Sequence, residues 1–166
     1  AWIGHAGATP GTGGDIHLAS DTLHLLAAGA WLGALPPLAM LIAHARRAHN
    51  RTWEKITAVA VHRFSLVGMV SVATLLASGI VNAWNLVGSI ENLIATDYGR
   101  IVLLKIGLFA AIVGIATVNR FYLTPRLATA DAARQLQYNS IAETCLGLAA
   151  LLFVGALGTM QPSAQA

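Results

Sequence analysis

Four long apolar segments, separated by shorter stretches that hold most of the charge, dominate the pattern of this chain. They run over residues 18–43, 64–87, 101–118 and 141–158. A helix needs about 20 apolar residues to cross the hydrocarbon core of a bilayer, and each segment approaches that length. The pattern predicts an all-α fold, an integral membrane four-helix bundle. Pro36 and Pro37 fall within the first segment, where we expect them to kink or locally unwind the helix.

Composition supports a membrane protein rather than a soluble domain. Hydrophobic residues make up 56% of the chain and charged residues 10%, and the mean hydropathy is +0.65. Soluble domains carry about 25% charged residues. With one cysteine, the chain can form no internal disulfide and has no CxxC motif. We therefore expect a single transmembrane domain over residues 1–166, with the lipid bilayer as its surroundings.

Positive charge is concentrated in two of the connecting segments. Residues 44–63 hold five of the ten basic residues and residues 119–140 hold three. The positive-inside rule assigns both segments to the cytoplasm, so both termini would lie on the periplasmic side of a bacterial inner membrane. The net charge of +3 then reflects topology, and it gives no reason to expect a nucleic-acid partner.

The first apolar helix begins with a group of metal-binding residue types. His17, Asp21 and His24 are spaced i, i+4 and i+7, which places them on one helix face. Trp31 continues this stripe inward. Imidazole suits copper, zinc and nickel, and Asp21 would either join the ligands or orient a histidine from behind. The spacing therefore predicts a cation site at the periplasmic end of the helix.

Two further residues could complete this site. His5 precedes a glycine-rich loop that can fold back to the same end, and Met160 follows the outer end of the fourth segment. A thioether would favour Cu(I) over zinc. The alternative is that each of these polar residues only lies in the headgroup zone.

A second group of candidate ligands lies towards the cytoplasm. His62 begins the second apolar segment, and Glu143 and Cys145 begin the fourth. Together they could form a metal release site. The alternative is structural, because a carboxylate inside a membrane helix needs a partner and Arg63 or Arg120 would lie at the same depth.

Two polar residues within the apolar segments also allow two interpretations each. Asn82 would either hydrogen-bond to a neighbouring helix or line a pathway. Lys105 would either extend its side chain to the membrane surface or pair with Asp97 or Glu91.

Sequence motifs add a family resemblance. Residues 62–127 contain "RFS", "SGIVNA", "TDYGRIVLLK" and "NRFYLTPRL", and the chain also has "LHLLAAGAWLG" at 23–33 and "GHA" at 4–6. This series resembles the CopD-type copper resistance and copper transport membrane proteins. The resemblance implies a polytopic inner-membrane protein that moves periplasmic copper inward, often beside a small periplasmic copper-binding partner.

The resemblance also bears on ligands and length. Many members of the family have more helices, so four suggest either the C-terminal half of a longer chain or a short member. Met40, Met69 and Met160 are the three methionines of the chain, and no methionine-rich stretch is present. Copper, as Cu(I) or Cu(II), would therefore bind chiefly through histidine.

Two other functions compete with copper transfer. A haem-b electron-transfer protein would need two axial histidines at matching depth, with His5 or His17 joining His24. A structural or assembly subunit would need no ligand, and its small-residue helix faces also permit a homo-oligomer. The sequence shows no Ser-His-Asp or HExxH arrangement, so we expect no enzyme activity.

Overall fold

A computed structural model describes residues 12–87 and 90–157, and nearly all of this part is helical. The main helices are α1 (Thr12–Ala48), α2 (Arg51–Val87), α3 (Ile90–Ala95), α4 (Asp97–Val118) and α5 (Ala130–Leu157). A π-helical turn, Asn119–Leu123, and a 3-10 turn, Thr124–Arg126, follow α4. The predicted all-α class is confirmed for the described residues, and the first three apolar segments lie inside α1, α2 and α4.

The helices extend well beyond the apolar segments. The basic stretch predicted as a connector over residues 44–63 is helical except at His49 and Asn50. Ala, Arg, Lys and Glu are good helix formers, so the backbone stays helical after the sequence turns polar. Pro36 and Pro37 do not unwind α1, which continues through both. Of the two expected effects, a kink or a local unwinding, the unwinding is therefore absent.

A two-residue turn joins α1 to α2. His49 has a φ of 45°, in the left-handed region, which reverses the chain. The Asn50 side chain then accepts a hydrogen bond of 2.7 Å from the Thr52 N–H and caps the start of α2. So short a turn forces α1 and α2 to lie side by side and antiparallel. We call the end of the molecule that contains this turn the basic end.

The four long helices pack around shared apolar clusters. α1 packs against α2 and α5, while α4 packs mainly against α5 and touches α2 at few points. Near the basic end a core cluster joins four elements, with Ile42, Val61, Leu123 and Leu136 among its members. A second cluster, farther from that end, is Ala27, Trp31, Leu75 and Ile112.

Close helix approach depends on small residues, as expected for membrane helices. Gly147 of α5 faces Leu32 of α1 so closely that an added Cβ would overlap a Leu32 methyl group. Gly68 of α2 faces the indole of Trp31. The small residues therefore set where α1 meets its two neighbours.

Many large apolar side chains point outward. Leu26, Met40, Val70 and Trp84 are each more than 60% exposed. Within the described residues, three spans are long and apolar enough to cross a membrane: Leu18–Ala48, Arg51–Trp84 and Asp97–Arg126. An apolar outer surface of this kind is what a lipid environment requires.

Candidate functional site

A polar cluster joins α1 to α2 at the end opposite the basic end. His24 Nδ1 lies 2.9 Å from the Ser78 hydroxyl oxygen, and Ser20 donates a hydrogen bond of 3.2 Å to the Ser78 carbonyl. The Ser78 hydroxyl lies 2.6 Å from the Thr74 carbonyl oxygen. Since a carbonyl only accepts, the single hydroxyl proton of Ser78 points to Thr74. Nδ1 of His24 must therefore carry the proton that is donated to Ser78.

This assignment of the proton determines what His24 can do. A neutral imidazole with its proton on Nδ1 presents an unprotonated Nε2, which is the form that binds a metal ion. Metal-binding histidines usually donate their other ring N–H to a neighbouring oxygen in this manner. The contacts of Ser78 therefore favour an orientation and a tautomer of His24 that suit a ligand.

One helical turn away, Asp21 makes a second contact with α2. Its Oδ1 accepts a hydrogen bond of 2.9 Å from the Asn82 side-chain amide. Of the two alternatives for Asn82, the hydrogen bond to a neighbouring helix is present. Lys105 of α4 interacts electrostatically with both Asp21 and His24. The alternative expected for Lys105, an ion pair with Asp97 or Glu91, is not found among the described residues, where Asp97 lies 3.3 Å from Arg100.

The predicted stripe of α1 does face the other helices. Trp31 is 2% exposed, Leu35 is completely buried and Leu38 is 7% exposed. Trp31 contacts Phe109 of α4 edge to face, with 6.4 Å between ring centroids. The face that begins with Asp21 and His24 thus continues into the apolar centre of the molecule.

The other predicted residues of this site fall outside what the structure describes. His5 and Met160 lie outside the described residues, and His17 is described only by its backbone in α1. Within the described part, no three His, Cys, Asp or Glu side chains gather as a metal site. A copper site with several ligands therefore remains a prediction.

The three candidate ligands near the basic end do not meet. His62 and Cys145 are exposed, whereas Glu143 is 1% exposed. Glu143 Oε1 accepts a hydrogen bond of 2.5 Å from the Asn119 amide, and it forms no ion pair with the described arginines. The expected pairing with Arg63 or Arg120 is wrong, because the π-helical turn presents Asn119 to the carboxyl group instead.

A chain of amide groups supports this buried contact. Gln135 donates to Asn139 at 2.9 Å, and Asn139 donates to Asn119 at 2.6 Å. Sequence reasoning missed Asn119 and also Ser78. The signal for Ser78 was its spacing, since Ser78 and Asn82 lie one turn apart on α2, just as Asp21 and His24 do on α1.

The positions of the histidines bear on the haem hypothesis. His24 lies level with Ser78, and His62 precedes Ser78 by 16 residues on α2. At 1.5 Å per residue this separation is about 24 Å along the helix axis. His24 and His62 therefore cannot be the two axial ligands of one iron.

Known proteins place the chain in a family. The family model CopD, copper resistance protein D, matches residues 58–157. The chain is 31% identical to copper resistance protein D of Pseudomonas syringae pv. tomato, over 100% of the chain and 56% of that protein. No solved structure gives a significant match.

Two further relatives are similar over 98% of the chain. Inner membrane protein YebZ of Escherichia coli (strain K12) is 32% identical, with 55% of its length covered. Copper transport protein CutJ of Bacillus subtilis (strain 168) is 30% identical, with 28% covered. The chain thus spans about half the length, or less, of these curated relatives. Because the family model covers more than half of the chain and three of its helices can span a bilayer, the chain is a multi-pass membrane protein that belongs to the CopD copper resistance family.

Proposed function

We propose that this protein takes copper from the periplasm and passes it across the bacterial inner membrane. The observation that carries the proposal is the partly buried contact between His24 and Ser78, because it engages Nδ1 of His24 and leaves Nε2 as the ring nitrogen for a metal ion. Relatives named for copper resistance and copper transport identify copper as the expected cation. The chain spans only part of these relatives, so we propose copper transfer for it by analogy with them.

The proposed topology has four membrane crossings. α5 would supply the fourth, since it turns apolar side chains such as Leu148 and Leu152 outward. The basic end would lie in the cytoplasm by the positive-inside rule. Asp21 and His24 would then lie at the periplasmic side, and both termini would lie there too.

The entry site would contain more than His24. His17 precedes His24 by two helical turns on α1, and His5 and Met160 belong to terminal segments that the proposed topology assigns to the same side. Asp21, held by Asn82 and close to Lys105, is better placed to orient the cluster than to donate a full charge to the metal. A small periplasmic copper-binding protein would deliver the ion.

Metal analysis of the purified protein tests the proposal. We expect His24→Ala, alone and with His17→Ala, to lose bound copper in both reducing and oxidising buffer. His62→Ala is the matched control, since it removes an exposed histidine near the basic end and should keep the wild-type copper content. Unchanged copper content in the His17→Ala/His24→Ala double variant, with intact membrane insertion, would exclude this entry site.

A further inference from the structure

Two adjoining cavities lie between α2 and α4 near the basic end, where these helices hardly touch. The first has a volume of about 380 Å³ and a mostly apolar wall that includes Phe64, Gly68 and Val113. The second reaches His62 and Pro125. Both are lined by Ser65, Arg120, Phe121 and Thr124, so Arg120 lies where one cavity joins the other. Ligand-binding cavities of proteins commonly have volumes in this range.

Arg120 has donors left over for an anion. One of its terminal nitrogens donates to the Ser65 hydroxyl, while its Nε is buried without a hydrogen-bond partner among the described residues. No carboxylate of the described part lies within 4.0 Å of it. A guanidinium carries five N–H donors whose geometry matches phosphate. Its charge, which no described carboxylate neutralises, therefore suits an oxyanion in the cavity.

The shape and polarity of the first cavity exclude a small hydrophilic anion as its full occupant. Its wall away from Arg120 is formed by side chains such as Phe64, Val72 and Val113. A phosphate ion alone would leave this apolar surface uncovered. An apolar chain covers such a wall favourably. The occupant must therefore combine one oxyanion with one long apolar chain.

Glu143 adds a polar contact near Arg120. Its Oε1 accepts from Asn119, the residue before Arg120, and its Oε2 is buried without a partner among the described residues. Glu143 lines the first cavity, so the wall close to Arg120 is polar while the rest of it is apolar.

We propose that these two cavities bind an anionic phospholipid, with its phosphate on Arg120 and one acyl chain in the cleft between α2 and α4. Basic pockets between membrane helices bind anionic headgroups at the cytoplasmic surface elsewhere. Here the cleft between α2 and α4 can also accommodate an acyl chain of the lipid. The bound lipid fills the gap between the two helices that contact each other least.

Thermal unfolding of the purified protein in detergent measures this binding. Phosphatidylglycerol should raise Tm saturably, whereas diacylglycerol with the same acyl chains, which lacks the phosphate, and inorganic phosphate, which lacks the chains, should not. Arg120→Gln should weaken the apparent affinity for phosphatidylglycerol on the order of tenfold or more, the effect of losing a charge-assisted hydrogen bond. Arg126→Gln is the matched control, because Arg126 is exposed and stacks on Tyr122, and it should keep the wild-type affinity.

A second variant tests the contribution of the acyl chain separately from that of the headgroup. Gly68→Leu keeps Arg120, and its Cβ would sit at 3.7 Å from the Trp31 indole nitrogen, an ordinary contact distance. The rest of the leucine would enter the cleft and should weaken lipid binding even if Arg120→Gln fails to fold. Equal effects of both lipids, an unchanged affinity in either variant, or the same stabilisation by inorganic phosphate would overturn the proposal.

Discussion

His24 Nδ1 and the Ser78 hydroxyl lie 2.9 Å apart, so a residue of α1 takes its orientation from a residue of α2. Ser78 can accept this bond because its own proton is already directed to Thr74 within the same helix. A single hydroxyl therefore determines which ring nitrogen of His24 is open to a ligand. The site depends on helix packing as well as on its histidine.

Replacing Ser78 by alanine should weaken copper binding without removing His24. Losing the partner that orients a metal-binding histidine typically lowers metal affinity roughly 10–100-fold. Ser71→Ala is the control, since Ser71 is also a buried serine of α2 but lies two turns away. Titration against a chromophoric copper competitor measures both. An equal loss in the two variants would point to a general packing defect.

Asn119→Ala should destabilise the fold by leaving the buried Glu143 carboxyl group without its hydrogen bond. An unsatisfied buried polar group costs about 1–3 kcal/mol in the free energy of unfolding. Gln135→Ala, at the exposed start of the same amide chain, should change it by less than about 0.5 kcal/mol. Denaturant unfolding in detergent micelles measures these differences.

A double variant tests the same explanation. In Asn119→Ala/Glu143→Leu both polar partners are gone, so much of the lost stability should return. Failure to recover would mean that Asn119 acts mainly by shaping the π-helical turn rather than through Glu143.

The sequence predicts three of the helices that can span a membrane, because hydrophobic segments dominate their energetics. It predicts the inward face of α1 for the same reason, since the stripe through Trp31 follows helical spacing. It does not predict the partners of buried polar groups. Glu143 was expected beside an arginine by charge, yet a π-helical turn one residue wider than an α-helical turn brings Asn119 there. The electrostatic influence of Lys105 on Asp21 likewise arises from tertiary packing, which has no local signal in the sequence.

Gly147→Ala should lower Tm, because the new methyl group would overlap the Leu32 side chain of α1. Overpacking of this kind costs about 1–3 kcal/mol. Gly114→Ala on α4 is the control, since no atom lies within 4 Å of the position of its added Cβ. It should leave Tm unchanged or raise it slightly. Adding Leu32→Ala to the Gly147→Ala variant should restore part of the lost Tm. If Tm stays low, the strain does not come from the overlap with Leu32.

Trp31 gives this protein a built-in optical probe. It lies seven residues after His24 on the same face of α1, about 10 Å along the axis, and it is sealed from solvent at 2% exposure. Trp53 and Trp84 are exposed, and Trp84 strongly so. With Trp2, Trp53 and Trp84 changed to phenylalanine, the remaining emission would come from beside the proposed metal path. Quenching of that blue-shifted fluorescence would then report the arrival of copper in real time.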